Sequence, residues 1–208
     1  MEISDAKLRI LDAALTIFSK KGFDATSVGD IAKAVGIKTP SLYSHFESKQ
    51  QLYETLWELL QVTYEKRSIF TATDWEDSSA DFSSFDTITV DGMIALLKKQ
   101  LQLVVKNPNV NRIRKLLVLD QYRDAEAARK ASERLYDDVM KYNAGMMRYF
   151  ARIGRLKVQD TEVLAAQFSL PVVCWMDLCL WEAHRIPEVT ELLERHVRLF
   201  FTTYMQDI

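Results

Sequence analysis

With 208 residues, 48% of them hydrophobic, the chain has enough apolar material for a buried core, as one domain or two small ones. A formal net charge of −2 excludes a uniformly basic coat, so any binding of nucleic acid must come from a local face. Only six glycines and four prolines interrupt a chain that reads as helix almost throughout.

Ser4 or Asp5 caps a first helix running to about Lys21, with Ile10, Leu11, Ala14, Leu15 and Phe18 on its apolar stripe and Gly22 ending it. Lys20 and Lys21 fall where the helix dipole favours cations, so they read as a solvated helix end rather than a ligand contact. Ser27 with Asp30 three residues on makes a capping-box pattern. Val28, Ile31, Ala32 and Val35 follow at i, i+3, i+4 and i+7, and Gly36 suits the left-handed residue that ends a helix. Thr39 before Pro40 predicts the next start, with Thr39 as cap and Pro40 in the first helical position. Leu42 and Phe46 point inward, which turns Pro40, Ser41 and Ser44 outward, with Lys38 and Thr39 at the tip and Tyr43 and His45 on the flanks. Ser48 with Gln51 predicts another capping box, opening a long helix to about Phe70 on Leu52, Leu56, Leu59 and Leu60. Two helices joined by a tight glycine turn, the second small and polar outward, are a helix-turn-helix.

Residues 71–90 carry five acids, and no Lys or Arg occurs from Ser68 to Leu97. That composition predicts a solvated loop, with a lid formed by Trp75, Phe82 or Phe85 as the sharper alternative. Further helices are expected over 91–106, from about 109 to 124, over 124–153 ending at Gly154, over 160–185 with Pro171 inside, and over 187–205. No catalytic pattern emerges. Cys174 and Cys179 are five apart and face different sides of a helix, so they share no metal and read as buried thiols. No Glu-x-x-His pair, glycine-rich phosphate loop or nucleophile elbow is present. No metal, cofactor or enzymatic activity is therefore expected. Two cysteines, no signal peptide and no apolar run judged long enough to span a bilayer predict a cytoplasmic protein with reduced thiols and no membrane partner.

Ser27 to Lys49 resembles the DNA-binding motif of the TetR family of bacterial transcriptional regulators. The resemblance rests on Ile31-Ala32, Gly36-Ile37, Leu42-Tyr43, His45-Phe46 and Lys49. It implies an all-α fold of about nine helices: a three-helix DNA-binding head over residues 1–49 and a helical effector-binding and dimerisation body over 50–208. DNA contacts are expected from Ser27, Lys38, Thr39, Pro40, Ser41, Tyr43, Ser44, His45 and Lys49, on the two halves of a near-palindromic operator. Lys49 enters because a cation in the first turn of a helix opposes the dipole, which an external anion would relieve. Gly29 departs from the family, where many relatives carry a longer basic residue, and this shifts weight onto Ser27, Tyr43 and Lys49. Residues 1–50 hold seven basic against six acidic side chains, a net of +1, so the motif carries the argument and charge does not.

The resemblance also implies a homodimer through the last two helices, with Met176, Leu180, Leu193, Val197, Phe200 and Phe201 assigned to the interface. An effector pocket for an unknown small molecule is assigned to Tyr64, Tyr122, Met146, Tyr149, Phe150, Phe168 and Trp175. The expected activity is that of a repressor released from its operator by this effector. The alternative is a small-molecule-binding helical dimer that has lost DNA binding.

Overall fold

The computed structural model describes residues 4–64, 82–157 and 160–206, the side chains of 61–64 excepted. The described chain is helical: α1 (Asp5–Lys21), α2 (Val28–Val35), α3 (Thr39–Tyr43), α4 (Lys49–Tyr64), α5 (Val90–Lys106), α6 (Pro108–Asp120), α7 (Ala125–Ser132), α8 (Asp138–Arg152), α9 (Thr161–Trp181) and α10 (Ile186–Tyr204). A 3₁₀ turn covers Phe82–Phe85 and another covers Ala183–Arg185. The only β feature among the described residues is an isolated bridge between Leu156 and Met205. The long helix expected over 124–153 is α7 and α8 joined by a π-helical turn at Glu133–Asp137. Counting α7 and α8 as the single helix expected, the α-helices among the described residues number nine.

Local sequence signals account for most of the ends. Ser4 caps α1, and Gly22 closes it at φ +77. The Ser27–Asp30 capping box is complete, and Gly36 ends α2 in the left-handed region at φ +80, where a side chain is disfavoured. Asn107 stops α5, and its Oδ1 accepts from the backbone N–H of Asn109 and Val110 at the start of α6. The expected Ser48 box is split. Ser48 Oγ accepts from Gln51 N at 3.0 Å, whereas the Gln51 side chain accepts from Glu47 N at 2.7 Å.

The chain forms two compact units, Met1–Glu65 with Arg112–Ser132, and Lys66–Asn111 with Glu133–Ile208. The units do not divide at a single point near Lys49, because α4 and the 112–132 stretch group with the head. In the first unit α1 packs on α2 and α4, around Ile10, Leu11, Phe18, Ile31, Leu52 and Leu56, all at most 2% exposed. Burial of each such side chain stabilises by about 1.5–3 kcal/mol. In the second unit α8 packs along α9, and α10 lies against α5 and α9.

One expectation is overturned here. The 21-residue α9 is long and apolar enough to cross a membrane by length and composition, with a hydropathy of 1.7. Half of that span is buried inside the second unit, as for the central helix of a helical core. Its apolarity follows from packing on both α8 and α10. The expected extension of α4 to Phe70 and the lid residue Trp75 lie outside the described residues.

Candidate functional site

A helix of five residues does not persist alone, so α3 exists because Leu42, and Phe46 just beyond it, are buried at 1% and 2% exposure. The Lys38 carbonyl starts the helix, accepting from Ser41 N at 2.9 Å and Leu42 N at 3.2 Å. Lys38 rather than Thr39 therefore occupies the cap position, and no side chain caps this end. Thr39 is already helical, and Pro40 follows it inside the first turn, where its missing N–H costs nothing. With Leu42 turned in, Lys38, Pro40, Ser41, Tyr43 and Ser44 are exposed, and Thr39 and His45 are half-buried. The outward face is thus small side chains with a lysine at one end and a phenol at the other. A shape of this kind enters a major groove without steric conflict.

Exposed Ser27 stands at the α2 N-terminus. Its Oγ accepts from Asp30 N at 3.0 Å while Asp30 Oδ2 accepts from Ser27 N at 3.1 Å. The hydroxyl hydrogen is not consumed by this box and can serve a phosphate oxygen. The hydrogen bonds from Ser27, backbone first, and the nearby Lys21 charge hold the Asp30 carboxyl below the usual carboxylate range. Ser44 spends its hydrogen on Ser41 O at 2.7 Å.

Lys49 differs from the sequence argument. Its ammonium donates to the carbonyls of Phe23 at 2.8 Å and Thr26 at 2.9 Å, with Asp24 O at 3.5 Å, and lies 4.2 Å from the centre of the Phe23 ring. The dipole conflict that called for an external anion is relieved inside the head, by carbonyls of the α1–α2 turn. The same turn is held from the other side. The Phe23 N–H donates to Asp120 Oδ1 at 3.3 Å, and the Tyr53 hydroxyl donates to Asp120 Oδ2. The Arg123 guanidinium lies 4.8 Å from the Phe23 ring centre and 4.5 Å from that of Tyr53. Burial and the Asp120 carboxylate push the Tyr53 phenol well above its ordinary value. Sequence reasoning missed Asp120 and Arg123, which lie 97 and more positions from the turn they hold. The one available signal was an acid and a base flanking a helix end.

In the second unit, a cavity of about 40 Å³ lies among α5, α8, α9 and the Phe82–Phe85 turn. Of the seven residues assigned to an effector pocket, Met146 and Phe168 line it. Tyr149 instead donates its hydroxyl to Asp86, Phe150 packs edge-on to Phe85, and Trp175 packs edge-on to His196. Tyr122 is 88% exposed in the other unit, and the Tyr64 side chain lies outside the described residues. Aromatic residues at helical spacing suggest a pocket, but Tyr149, Phe150 and Trp175 make packing contacts instead.

The interface assignment also fails on burial. Met176, Leu180, Leu193, Val197, Phe200 and Phe201 are all buried within their own unit, so they are not available to a partner. The exposed residues of α9 include Val163, Leu170, Cys174 and Trp181, spaced 7, 4 and 7 as in a helix-packing seam, and α10 adds Leu199 at 69% exposure. Cys174 is thus exposed where both thiols were expected to be buried, while Cys179 is buried. Among the described residues, no cluster of His, Cys, Asp or Glu is arranged to hold a metal ion.

A glycine-hinged pair of short helices, the second offering a small polar face over a buried Leu42 and Phe46, defines the helix-turn-helix class of DNA-binding heads. Residues 10–56 match the profile of the bacterial regulatory proteins of the tetR family. Over 48 residues the chain is 56% identical to IcaR, the negative transcriptional regulator of the biofilm operon icaADBC in Staphylococcus aureus strain Newman. That match takes in 23% of this chain and spans about a quarter (26%) of the relative's length. The fold is shared along the whole chain with a tetR-family protein of Mesorhizobium loti (TM-score 0.65, 18% identity, 97% of each chain). It is also shared with a protein of Saccharomonospora viridis solved with choline (TM-score 0.64, 16% identity, 99% of this chain and all of that one).

Proposed function

We propose that the chain is a DNA-binding transcriptional regulator that works as a homodimer and whose affinity for its operator is set by a small molecule held in the body. The observation that carries this reading is the α3 face: Lys38, Pro40, Ser41, Tyr43 and Ser44 exposed on a helix whose other side is wholly buried. In this reading Lys38, Thr39 and Ser41 approach base edges, and Ser27, Tyr43 and His45 meet phosphates. Lys49 acts from behind, by holding the α1–α2 turn. The dimer forms through the outer seam of α9 (Val163, Leu170, Cys174, Trp181) with Leu199 of α10, a second copy covering what is exposed in one. A ligand acts only through different affinities for two body shapes, so the small cavity belongs to the shape that binds ligand poorly. The choline complex of the Saccharomonospora viridis protein supports a ligand role for a body of this fold.

The test is the salt dependence of binding to duplex DNA, followed by fluorescence anisotropy, for the wild type and Lys38→Ala. Each lysine–phosphate contact contributes about 0.9 to the log–log slope. The reading expects steep salt dependence in the wild type and a changed sequence preference in Lys38→Ala. Binding that is weak and the same for all sequences in both proteins favours a helical dimer that does not read DNA.

A further inference from the structure

Ser4 caps α1, and the capping-box pattern calls for a Glu or Gln three residues on, whose side chain reaches back to the cap backbone. That position holds Lys7. Asp5, two residues earlier in the same turn, agrees with the helix dipole, whereas the Lys7 cation opposes it. Positions where a sequence breaks a local rule are where function is expected.

Lys49 poses the same dipole problem and solves it internally, by donating to the carbonyls of Phe23 and Thr26. Lys7 is held differently. Its backbone N–H reaches Ser4 Oγ at 3.5 Å, while its half-buried side chain runs to Phe46, with the ammonium 5.3 Å from the centre of the ring. A ring attracts a cation through its quadrupole but has no lone pair to accept from it, so the three N–H groups remain for an oxygen. Among the described residues, no hydrogen bond or ion pair engages this ammonium.

The ring it rests on fixes where it stands. Phe46 seats the C-terminal end of α3: it is 2% exposed, and its N–H donates to Leu42 O at 3.1 Å. His45, beside it in the chain, faces the phosphates in the reading above. Lys7 therefore stands at the opposite end of α3 from Lys38. The five residues of α3 rise about 7.5 Å, less than the width of about 12 Å of a major groove, so a helix lodged there brings its ends toward the phosphates of the groove walls. Two other cations of the head are already engaged, Lys21 with Asp30 at 3.8 Å and Lys49 with the α1–α2 turn.

We propose that Lys7 is a contact to the DNA backbone, its ammonium seated on the Phe46 ring and donating to a phosphate oxygen beside the C-terminal end of α3. The proposal rests on the reading of the head as a DNA-binding unit, and moves to α1 the cationic contact that the sequence argument placed at Lys49. The phosphate takes the place of the carboxylate that a capping-box glutamate would supply at this end of α1.

Fluorescence anisotropy over a salt series provides the test, with a labelled duplex recovered by selection from a random pool and the same duplex scrambled. Lys7→Gln removes the charge and keeps most of the length. It is expected to lower the log–log salt slope by about 0.9 on both duplexes, so that its affinity deficit shrinks about 3.5-fold between about 50 and 200 mM salt. Lys7→Arg is expected to keep the wild-type slope. The thermal melt of Lys7→Gln should be unchanged or slightly raised, because a cation leaves the first turn of a helix. Lys20→Gln, at the exposed far end of α1, is expected to leave the slope unchanged. An equal fall in slope in Lys20→Gln marks a diffuse charge effect and overturns the contact. A lowered melt in Lys7→Gln marks a strut and overturns it too, and a changed base preference overturns the assignment to phosphate. Sequence-selective binding by the wild type with a slope indifferent to Lys7→Gln defeats this inference alone. A wild type that binds neither duplex defeats the regulator reading, and this inference with it.

Discussion

Removing the Lys49 ammonium separates a strut from a phosphate contact. In Lys49→Ala the carbonyls of Phe23 and Thr26 lose donors at 2.8 and 2.9 Å, and the Phe23 ring loses a cation at 4.2 Å. A hydrogen bond from a charged donor contributes about 1.5–3 kcal/mol when buried. Lys49 is half-exposed, so water replaces part of each bond and about 1 kcal/mol apiece is the working figure. The cation–ring contact adds about 0.5 kcal/mol at such a site. The substitution should cost the head about 2–3 kcal/mol, or roughly 8 to 24 °C in the melting midpoint of the unit that contains it. DNA affinity should fall because the α1–α2 turn loosens under the helix-turn-helix, but the log–log salt slope should stay as in the wild type. The assay is anisotropy of labelled duplex at a series of salt concentrations, paired with a thermal melt. A slope reduced by about one, with an unchanged melt, would refute the strut and return Lys49 to the phosphates.

Other substitutions give equally direct readings. Asp120→Ala leaves the Tyr53 hydroxyl and the Phe23 N–H without their buried acceptor and should destabilise the first unit by about 3–5 kcal/mol in urea denaturation. Gly29→Arg has room, since a Cβ there meets nothing nearer than Ser27 Oγ at 3.6 Å, and should steepen the salt slope of DNA binding by about one. Leu170→Glu with Leu199→Glu places charges on the outer seam and should give monomers at micromolar concentration in sedimentation, while Leu180→Ala should lower stability and leave the dimer intact. Burial holds the His196 pKa below the ordinary 6.5, opposed only in part by its hydrogen bond to Phe168 O. The neutral ring is therefore favoured in the folded state. Its contribution to stability is full above about pH 6.5 and is lost as pH falls through the folded value, so melting midpoints should drop on acidification and drop less in His196→Gln.

The head was legible because its signals are local. Ser27 with Asp30, Gly36, and Leu42 with Phe46 each act within a few residues, and each stands where its spacing placed it. Thr39 was misplaced by one position because a Thr-Pro pair suits both a cap with its first turn and two residues of one turn. Lys49 was misread for a different reason. The dipole argument correctly found a cation in need of partners, but the partners are backbone carbonyls of Phe23, Asp24 and Thr26, which no side-chain pattern announces. In the body, apolar periodicity found α9 and α10 but not which side faces out. α9 is apolar nearly all round, and only burial separates Met176 and Leu180 from Leu170 and Trp181. The cavity wall escaped for the same reason, since Val172, Val173 and Met93 are chemically the same as plain core.

Selection of DNA from a random duplex pool by the full chain, followed by sequencing, tests the central claim most directly. The account predicts enrichment of one inverted repeat, its half-sites about 34–36 Å apart or a small multiple of that. It also predicts that Lys38→Ala and Thr39→Ala alter the preferred bases at the same symmetric positions in both halves. A pool that emerges without a shared sequence, or a preference untouched by both substitutions, would contradict it.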